Sequence, residues 1–398
     1  MRSFFDLVGF EYKKIFKRKS AIIALILVIV AVCISPLTVF FGTTYVDGEP
    51  FESQYQAMIK DREYARALSG LMIDENLMSE TKDAYSKITS DDRFGITQEY
   101  QLYARPYQEI FWMLNAVYNM EDLKDLTEED MRNFYQARHD MIEKEVSYMT
   151  ISDAAKEKLI ELDSEIKTPF SFEYTGGFDS LFGSIYTLGI VCAFALAICL
   201  APMFAGEYSS RTDQMILSSK LGKTKQVTAK LFTAISLFVV LFAILLLISI
   251  ILVASIYGLD GADAPIQLLS VSVTYPLTIL QNLLIFLLST FLGIFLIVAV
   301  ILLLSSKFRS PFSVIIVVSV LLFIPMMITV PETIVWLHNL FNLLPTNMMT
   351  IWGVFNRVVF DLFGLIIVPY VFLPIFATIA SVAMLPFARR AFQNHQVG

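Results

Sequence analysis

Stretches without charge alternate with polar stretches along the whole chain. Six stretches contain no Asp, Glu, Lys or Arg: Ser20–Val46, Ser180–Gly206, Leu231–Leu259, Ala264–Ser306, Ser310–Pro331 and Leu362–Ala388. Each is long enough for a helix of about 20 residues, the length that crosses a hydrocarbon core of roughly 30 Å. Helices are favoured because backbone groups inside lipid must satisfy their own hydrogen bonds. The pattern predicts six membrane-spanning helices.

The same pattern predicts the boundaries of an all-α polytopic membrane protein. The spans are expected at 20–42, 180–206, 231–258, 276–305, 310–330 and 361–387, with Pro276 in the first turn of the fourth. The segments between them are expected to be an interfacial elbow helix (1–19), a mainly helical extracytoplasmic domain (43–179), a polar segment with a coupling helix (207–230), outer interfacial helices (331–360) and a tail (388–398). Residues 1–19 have apolar residues at helical spacing, although a simple basic flank of the first span is the alternative.

Composition and charge support this reading and give it an orientation. The chain of 398 residues is 56% hydrophobic and 17% charged, whereas soluble domains carry about 25% charge. Lys and Arg are concentrated before the first span, in 207–230, between spans four and five, and after span six. Basic residues flanking spans mark the cytoplasmic side. We therefore expect a multi-pass protein of the cell membrane with both termini in the cytoplasm.

The polar region 43–179 is expected to form a helical domain with its own core. Thr127 and Asp130 have the spacing of a capping box, and a second helix is expected to start near Ser152 and to end before Pro169. The aromatic-rich segment 93–120 is expected to supply the core. His139 is read as a solvated helix residue, and no metal site is predicted. All three cysteines, Cys33, Cys192 and Cys199, fall in predicted spans, so no disulfide is expected in this domain.

The sequence Gly222-Lys223-Thr224 resembles the end of a phosphate-binding loop. A Walker A motif also requires a glycine where this chain has Leu217, and it requires a preceding buried strand. Neither is present in the sequence, so the chain is not expected to bind or hydrolyse ATP. No catalytic constellation is apparent, and an enzyme such as a lipid-modifying enzyme is not favoured.

The six charge-free stretches contain no Asp, Glu, Lys, Arg or His. Ion-coupled transporters usually need such groups inside the membrane, so a secondary transporter is disfavoured. The most polar cluster in a span is Gln281, Asn282, Ser289 and Thr290. These four residues are candidates for lining a cavity, and hydrogen bonding between helices is the favoured alternative.

The segment 207–230 has an apolar face that an ordinary basic loop would not need. Met215, Ile216, Leu217 and Leu221 follow a break at residues 209–213, and Gly222 is expected to end this short helix as a C-cap. Such a helix, attached to two spans, is suited to insertion into a groove on a partner. Glu207 is expected to pair with Lys230 or with a basic residue of the elbow.

These residues resemble the coupling-helix segment of ABC-2-type ABC transporter permeases. The resemblance rests on Glu207, Thr212, Ile216-Leu217-Ser218, Leu221-Gly222-Lys223 and Lys230, together with the six-span layout. The chain departs from the family pattern at Arg211, where a glycine is usual, and at Lys220, where a proline is common. A large domain between spans one and two resembles one subset of the family.

The resemblance implies a transmembrane subunit without catalytic activity of its own or bound cofactor, with ATP and Mg²⁺ held by partner ATPase subunits. It implies a second permease copy or homologue and surrounding lipid as further partners, and no nucleic acid. The residues expected to contact the ATPase are Glu207, Arg211, Thr212, Asp213, Leu217, Leu221, Lys223, Lys307 and Arg309.

Two functions are compatible with this resemblance. The first is an exporter of a hydrophobic or amphipathic substrate, such as a peptide, lipid or drug. The second is a sensor or immunity subunit that captures an antimicrobial peptide with its extracytoplasmic domain.

Overall fold

The computed structural model describes residues 4–88, 95–120, 123–219 and 222–394. Within these ranges the chain is mainly helical, with two short β-hairpins. The chain folds into two units, each with its own core. The membrane unit comprises the chain up to Ser35, Gly183–Ile250 and everything from Ile285 onward. The inserted unit comprises Pro36–Phe182 and Ile251–Leu284.

Five helices are long and apolar enough to cross a membrane, and a sixth apolar helix is shorter. In chain order the helices of these regions are α1 (Phe4–Phe16), α2 (Lys19–Leu37), α9 (Gly176–Leu200), α10 (Ala205–Ser209), α11 (Asp213–Ser218), α12 (Val227–Ile256), α13 (Ile279–Lys307), α14 (Pro311–Met327) and α17 (Pro369–Gln393). The short one is α14, with 17 residues. The protein is therefore an all-α polytopic membrane protein, while the number of six spans stays a prediction.

Two predicted span boundaries are corrected by the structure. Pro276 does not lie in the first turn of α13, because Thr278 caps that helix. The Thr278 hydroxyl accepts from the Gln281 backbone N–H at 3.3 Å, and the Gln281 side chain accepts from the Thr278 N–H at 3.0 Å. The predicted sixth span began at residue 361, but residues Phe360–Leu362 (β3) and Leu365–Ile367 (β4) form a hairpin there.

The turn of this hairpin explains the shift. Phe363 and Gly364 both have positive φ, at 57° and 92°, the backbone that tight two-residue hairpin turns favour. Pro369 then starts α17, because its ring fixes a helical φ and its missing N–H is not needed at a helix start. Two short helices, α15 (Val335–Asn342) and α16 (Ile351–Val354), precede the hairpin as predicted.

The membrane unit has one large apolar core in which Leu, Ile and Val predominate, with small and aromatic residues among them. In α9, Cys192, Ala193, Leu196 and Cys199 are fully buried in it. The amphipathic helix α1 presents Leu7 and Val8 to Ala229 near the start of α12, and its Tyr12 hydroxyl lies 2.8 Å from the Ser236 hydroxyl. The predicted helix at the N-terminus is therefore present, and it is packed against α12.

The inserted unit contains a hairpin and six helices among its described residues. They are β1 (Thr43–Val46), β2 (Glu49–Ser53), α3 (Gln54–Leu68), α4 (Glu75–Ser86), α5 (Gln108–Tyr118), α6 (Glu128–Arg132), α7 (Phe134–Tyr148) and α8 (Asp153–Ser164). The predicted capping box of Thr127 and Asp130 is confirmed at the start of α6. The predicted helix after Ser152 is confirmed as α8.

The segment 93–120 supplies part of the core of the inserted unit, and aromatic residues from outside it contribute as well. Tyr85 stacks on Phe111 at 4.5 Å between ring centroids, and Tyr100, Phe134 and Phe170 belong to the same cluster. Sequence reasoning missed one part of this unit, the loop after α12. There, buried Arg138 donates to the carbonyl oxygens of Val271 at 2.8 Å and Val273 at 2.9 Å.

His139 does not stand alone on its helix. Its Nδ1 lies 2.8 Å from Oδ2 of Asp163. The other oxygen of this carboxylate, Oδ1, lies 2.9 Å from Nη2 of Arg138. This small buried network joins α7 to α8.

Candidate functional site

The candidate site begins where α9 ends and the polar segment 205–230 starts. Pro202 stands at the start of a 3₁₀ turn, Ala201–Met203, which redirects the chain into α10. Ser305 of α13 fixes this turn. Its hydroxyl accepts from the backbone N–H groups of Phe204 at 3.0 Å and Ala205 at 3.1 Å, and it donates to the Ala201 carbonyl at 2.7 Å. The start of α10 is thereby tied to the end of α13.

A buried cluster of ion pairs lies directly behind α10. The ammonium of Lys230, in the first turns of α12, is fully buried. It lies 2.6 Å from Glu207 Oε1 of α10 and 3.1 Å from Glu11 Oε2 of α1, and it donates to the Met203 carbonyl at 2.9 Å. The predicted pairing of Glu207 with Lys230 is therefore present.

A second lysine completes the cluster from the elbow. Lys14 of α1 lies 3.0 Å from Glu207 and 3.3 Å from Glu11. Burial alone would lower the pKa of Lys14, but the nearby carboxylates of Glu207 and Glu11 raise it by more, so its pKa lies above the usual value. This is the elbow partner that was expected for Glu207.

Glu11 was missed by sequence reasoning, although α1 carried a signal for it. The buried residues of α1 are Leu7, Val8, Glu11 and Ile15, at the spacing of one helix face. A carboxylate on an apolar helix face needs a buried partner, because an unpaired buried charge is very costly. Lys230 and Lys14 provide that partner. We call Glu11, Lys14, Glu207 and Lys230 the junction cluster.

The cluster joins three separate parts of the chain, namely α1, α10 and α12. Removing one member of a buried ion pair typically costs about 3–5 kcal/mol, since it leaves a charge without a counterion. Displacement of α10 therefore has a direct electrostatic effect on both the elbow and the start of α12.

The structure turns several residues of the expected docking set inward. Leu217 is 8% exposed and belongs to the apolar core of the membrane unit, and Asp213 is also buried. In the short helix α11, the exposed apolar side chain is Met215, at 76%. The helix ends at Ser218 rather than at Gly222. Leu221 and Lys220 lie outside the described residues.

Gly222 has a different role from the C-cap that was predicted. A π-helical turn, Gly222–Gln226, leads from it into α12. A Cβ atom on Gly222 would lie 1.6 Å from the Ile216 carbonyl oxygen, which leaves no room for any side chain. The glycine is required for close approach of this turn to α11.

Arg211 occupies a backbone conformation that suits glycine. Its φ is +56°, in the left-handed region, and the side chain is exposed. For a residue with a Cβ this conformation costs about 1–2 kcal/mol. A glycine would adopt this backbone without strain, and this chain forms the turn with an arginine.

The remaining residues of the expected docking set are exposed. Thr212 and Lys223 lie on the surface of the polar segment, and Lys307 and Arg309 lie where α13 meets α14. Glu207, in contrast, is only 5% exposed, and Lys14 and Lys230 bind it within the chain. It supports the segment from behind.

The four polar residues of the predicted fourth span, Gln281, Asn282, Ser289 and Thr290, have different surroundings and different partners. Gln281 caps α13, and Asn282 is buried. Ser289 donates to the Met348 carbonyl at 2.9 Å, which is the hydrogen bond between elements favoured by its position. Thr290 is buried beside Gly189 of α9.

Comparison with known proteins agrees with this architecture. The sequence model described as ABC-2 family transporter protein matches residues 7–351, which is most of the chain. The chain belongs to the ABC-2 transporter family. Its role as a multi-pass membrane component of an ABC transporter follows from this membership. Neither the curated proteins nor the solved structures contain a match.

Membership gives the polar segment its context. In an ABC transporter the membrane component is driven by an ABC ATPase, and the arrangement is generally dimeric. The membrane component is generally not catalytic itself. Family membership thus implies association of this chain with an ABC ATPase.

Proposed function

We propose that this ABC-2 family protein is the membrane subunit of an ATP-driven exporter at the cell membrane, with ATP hydrolysed on separate ATPase subunits. The segment 205–226, together with the loop of Lys307 and Arg309, docks on the ATPase in the cytoplasm. The cargo is hydrophobic or amphipathic, and a second permease copy completes the transporter. The observation that carries the proposal is the junction cluster behind α10.

The cluster supports this proposal because it connects the docking segment directly to α1 and α12, so that these elements move with it. Glu207 is held by Lys230 at 2.6 Å and by Lys14 at 3.0 Å, so α10 is bound to the first turns of α12 and to the last turn of α1. A force applied to α11 is transmitted to α12 and to the elbow through these pairs. An unattached surface loop would dissipate the same force in its own motion.

The docking surface itself is supported by exposure. Met215 is 76% exposed, whereas the two apolar residues that follow it in α11, Ile216 and Leu217, are half-buried and buried. Arg211, Thr212 and Lys223 are exposed around it. An exposed apolar side chain surrounded by polar ones is a common centre of a protein interface.

The test is the substitution Met215→Asp in the full-length protein, purified by an affinity tag from the cells that express it. We expect the wild-type chain to bring down an ABC ATPase, identified by mass spectrometry through its Walker motifs. Met215→Asp should reduce its recovery at least about tenfold, because a desolvated carboxylate at an interface centre costs more than about 1.4 kcal/mol.

The matched control is Met72→Asp, which changes a 50% exposed methionine of the inserted unit. It should leave recovery of the ATPase unchanged. Equal recovery with Met215→Asp and wild type, at equal expression and melting temperature, contradicts docking through α11.

A further inference from the structure

Two cavities of the membrane unit lie beside the N-terminal elements, the first facing the turn and α10 that follow α9 and the second facing α9 itself; we call them together the seam. The first has a volume of about 350 Å³ and is lined on one side by Glu11, Lys14 and Arg18, and on the other by Met203 and Glu207. The second has a volume of about 260 Å³ and is formed by residues 24–31 of α2 and 190–198 of α9, closed by Phe323 of α14. All residues lining the second cavity are apolar.

The spacing along α2 relates the two cavities. Arg18 immediately precedes α2, and the apolar cavity extends along that helix as far as Ala31. At 1.5 Å per residue, the distance from Arg18 to Ala31 is about 20 Å along the axis. One leaflet of a bilayer has a hydrocarbon thickness of about 15 Å, half of a roughly 30 Å core. The seam thus has a polar end and an apolar end at the separation found within one lipid molecule.

The polar end carries one uncompensated positive charge. Glu11 and Glu207 are balanced by Lys14 and Lys230, whose ammonium groups bind both carboxylates. Arg18 adds a further cation. Its Nε and Nη2 donate to the carbonyls of Lys14 at 3.2 Å and Cys199 at 2.9 Å, while its buried Nη1 has no hydrogen-bond partner within the described chain. A single phosphodiester would neutralise this end.

An unsatisfied acceptor belongs to the same cavity. Glu207 is 5% exposed. Its Oε1 accepts hydrogen bonds from the ammonium groups of Lys14 and Lys230, whereas its buried Oε2 has no hydrogen-bond partner among the described residues. Buried polar atoms are rarely left unpaired, and such an atom calls for a ligand or water. Oε2 accepts only, so the ligand must offer a donor such as a hydroxyl.

We propose that this seam binds one phospholipid of the phosphatidylglycerol type as a resident ligand. The phosphodiester pairs with Arg18, a headgroup hydroxyl donates to Glu207, and one acyl chain lies between α2 and α9. The charge of one phosphodiester matches the single excess cation, and a headgroup without a further ammonium keeps that balance. The ligand would tie the elbow and the end of α9 to the membrane surface.

The experiment measures lipid retained by the full-length protein. The protein is reconstituted with equal amounts of phosphatidylglycerol and phosphatidylcholine of identical acyl chains, extracted in mild detergent and analysed by native mass spectrometry. We expect one phosphatidylglycerol per chain to be retained in preference to phosphatidylcholine. Arg18→Gln should weaken retention by about tenfold or more, since hydrogen bonds to charged groups are the strong ones.

Matched variants separate this site from general membrane charge and from misfolding. Lys17→Gln removes an exposed charge one residue away and should retain the lipid. Ala31→Trp fills the apolar cavity and should lose it, whereas Val30→Trp, on an exposed position of the same helix, should not. The comparison of Ala31→Trp with Val30→Trp still tests the proposal if Arg18→Gln fails to fold.

Three results overturn the proposal. The first is equal retention of the two lipids by the wild-type protein. The second is equal loss with Arg18→Gln and Lys17→Gln. The third is displacement of the lipid by excess inorganic phosphate together with no effect of Ala31→Trp, which assigns the polar cavity to free phosphate.

Discussion

Two glutamates of this chain lie in opposite electrostatic surroundings. Glu207, in the membrane unit, is 5% exposed, and Lys230 and Lys14 bind it at 2.6 and 3.0 Å. Glu109, in the inserted unit, is partly buried, and the charges that act on it are the carboxylates of Asp61 and Asp179. Burial first, and then these two negative charges, raise the pKa of Glu109 to about 7.

The difference shows what each region does with a buried acid. The membrane unit pairs Glu207 with two lysines and so links three chain segments. Its lysine partners hold point charges on flexible stems, which can re-form their bonds when neighbouring segments move. The inserted unit instead places Glu109 where its neutral form is favoured. A carboxylate bound by ammonium groups from other segments suits mechanical coupling, whereas a carboxylate whose charged form is disfavoured makes stability depend on pH.

The largest effect is expected from Lys230→Met, which leaves Glu11 and Glu207 facing each other with only Lys14. We expect a loss of about 3–5 kcal/mol in the free energy of unfolding of the membrane unit, because a buried ion pair loses one member. Thermal unfolding in detergent, followed by intrinsic fluorescence, measures it.

Lys225→Met is the matched control, since Lys225 is exposed five residues before Lys230. It should change stability by less than about 0.5 kcal/mol. Adding Glu11→Gln and Glu207→Gln to Lys230→Met should recover part of the loss. If the Lys225 and Lys230 variants unfold alike, the cluster is not a structural link.

An intermediate effect is expected from Glu109→Gln, and it depends on pH. The pKa of Glu109 is higher in the folded protein than its usual value near 4.5. The folded state therefore binds the proton more tightly, and stability falls as pH rises from about 4.5 to about 7, then stays level. Glu109→Gln should remove this fall and raise stability at pH 8 by about 1–3 kcal/mol.

The second prediction is checked by measuring the free energy of unfolding of the wild type and of Glu109→Gln across this pH range. Glu157→Gln, an exposed glutamate of α8, should leave the pH profile as it is. A profile of the Glu109 variant that is parallel to wild type between about pH 4.5 and pH 7 would show that Glu109 is ionised throughout that range. The surroundings of Glu109 would then not suppress its charge.

The smallest effect is expected from Arg211→Gly in the turn between α10 and α11. Glycine adopts φ near +56° without strain, so we expect stability to rise by about 0.5–1 kcal/mol. Arg309→Gly serves as control, because Arg309 is exposed and has no positive φ. Arg309→Gly should lower stability, because glycine makes the unfolded chain more flexible without relieving any strain. An equal loss of stability with Arg211→Gly would contradict strain at this turn.

Much of the fold was readable from local patterns. Charge-free stretches located all five long apolar helices, because a helix that crosses lipid must exclude charges over its whole length. The capping box at Thr127 and the start of α8 were readable because a helix start depends on residues three or four apart. Membership of the ABC-2 family was readable from the resemblance of the polar segment with Glu207 and from the span layout, and the family match confirms it, while the coupling role of the segment stays a prediction.

The candidate site could be predicted only in part. The pairing of Glu207 with Lys230 and with an elbow lysine was expected from the charges near the membrane surface, and both pairs are present. The orientation of α11 was not predictable, because in a helix of six residues the buried face is chosen by what it packs against. Leu217 and Met215 have similar hydrophobicity, yet the first is buried and the second is exposed.

The sequence by itself determined which segments can enter a membrane, since length and absence of charge act locally along the chain. Tertiary structure alone decided that Glu11 and Lys230, 219 positions apart, share one buried site. It also decided that the loop after α12 binds Arg138. Long-range partners are set by packing of the whole chain, and no local pattern contains that information.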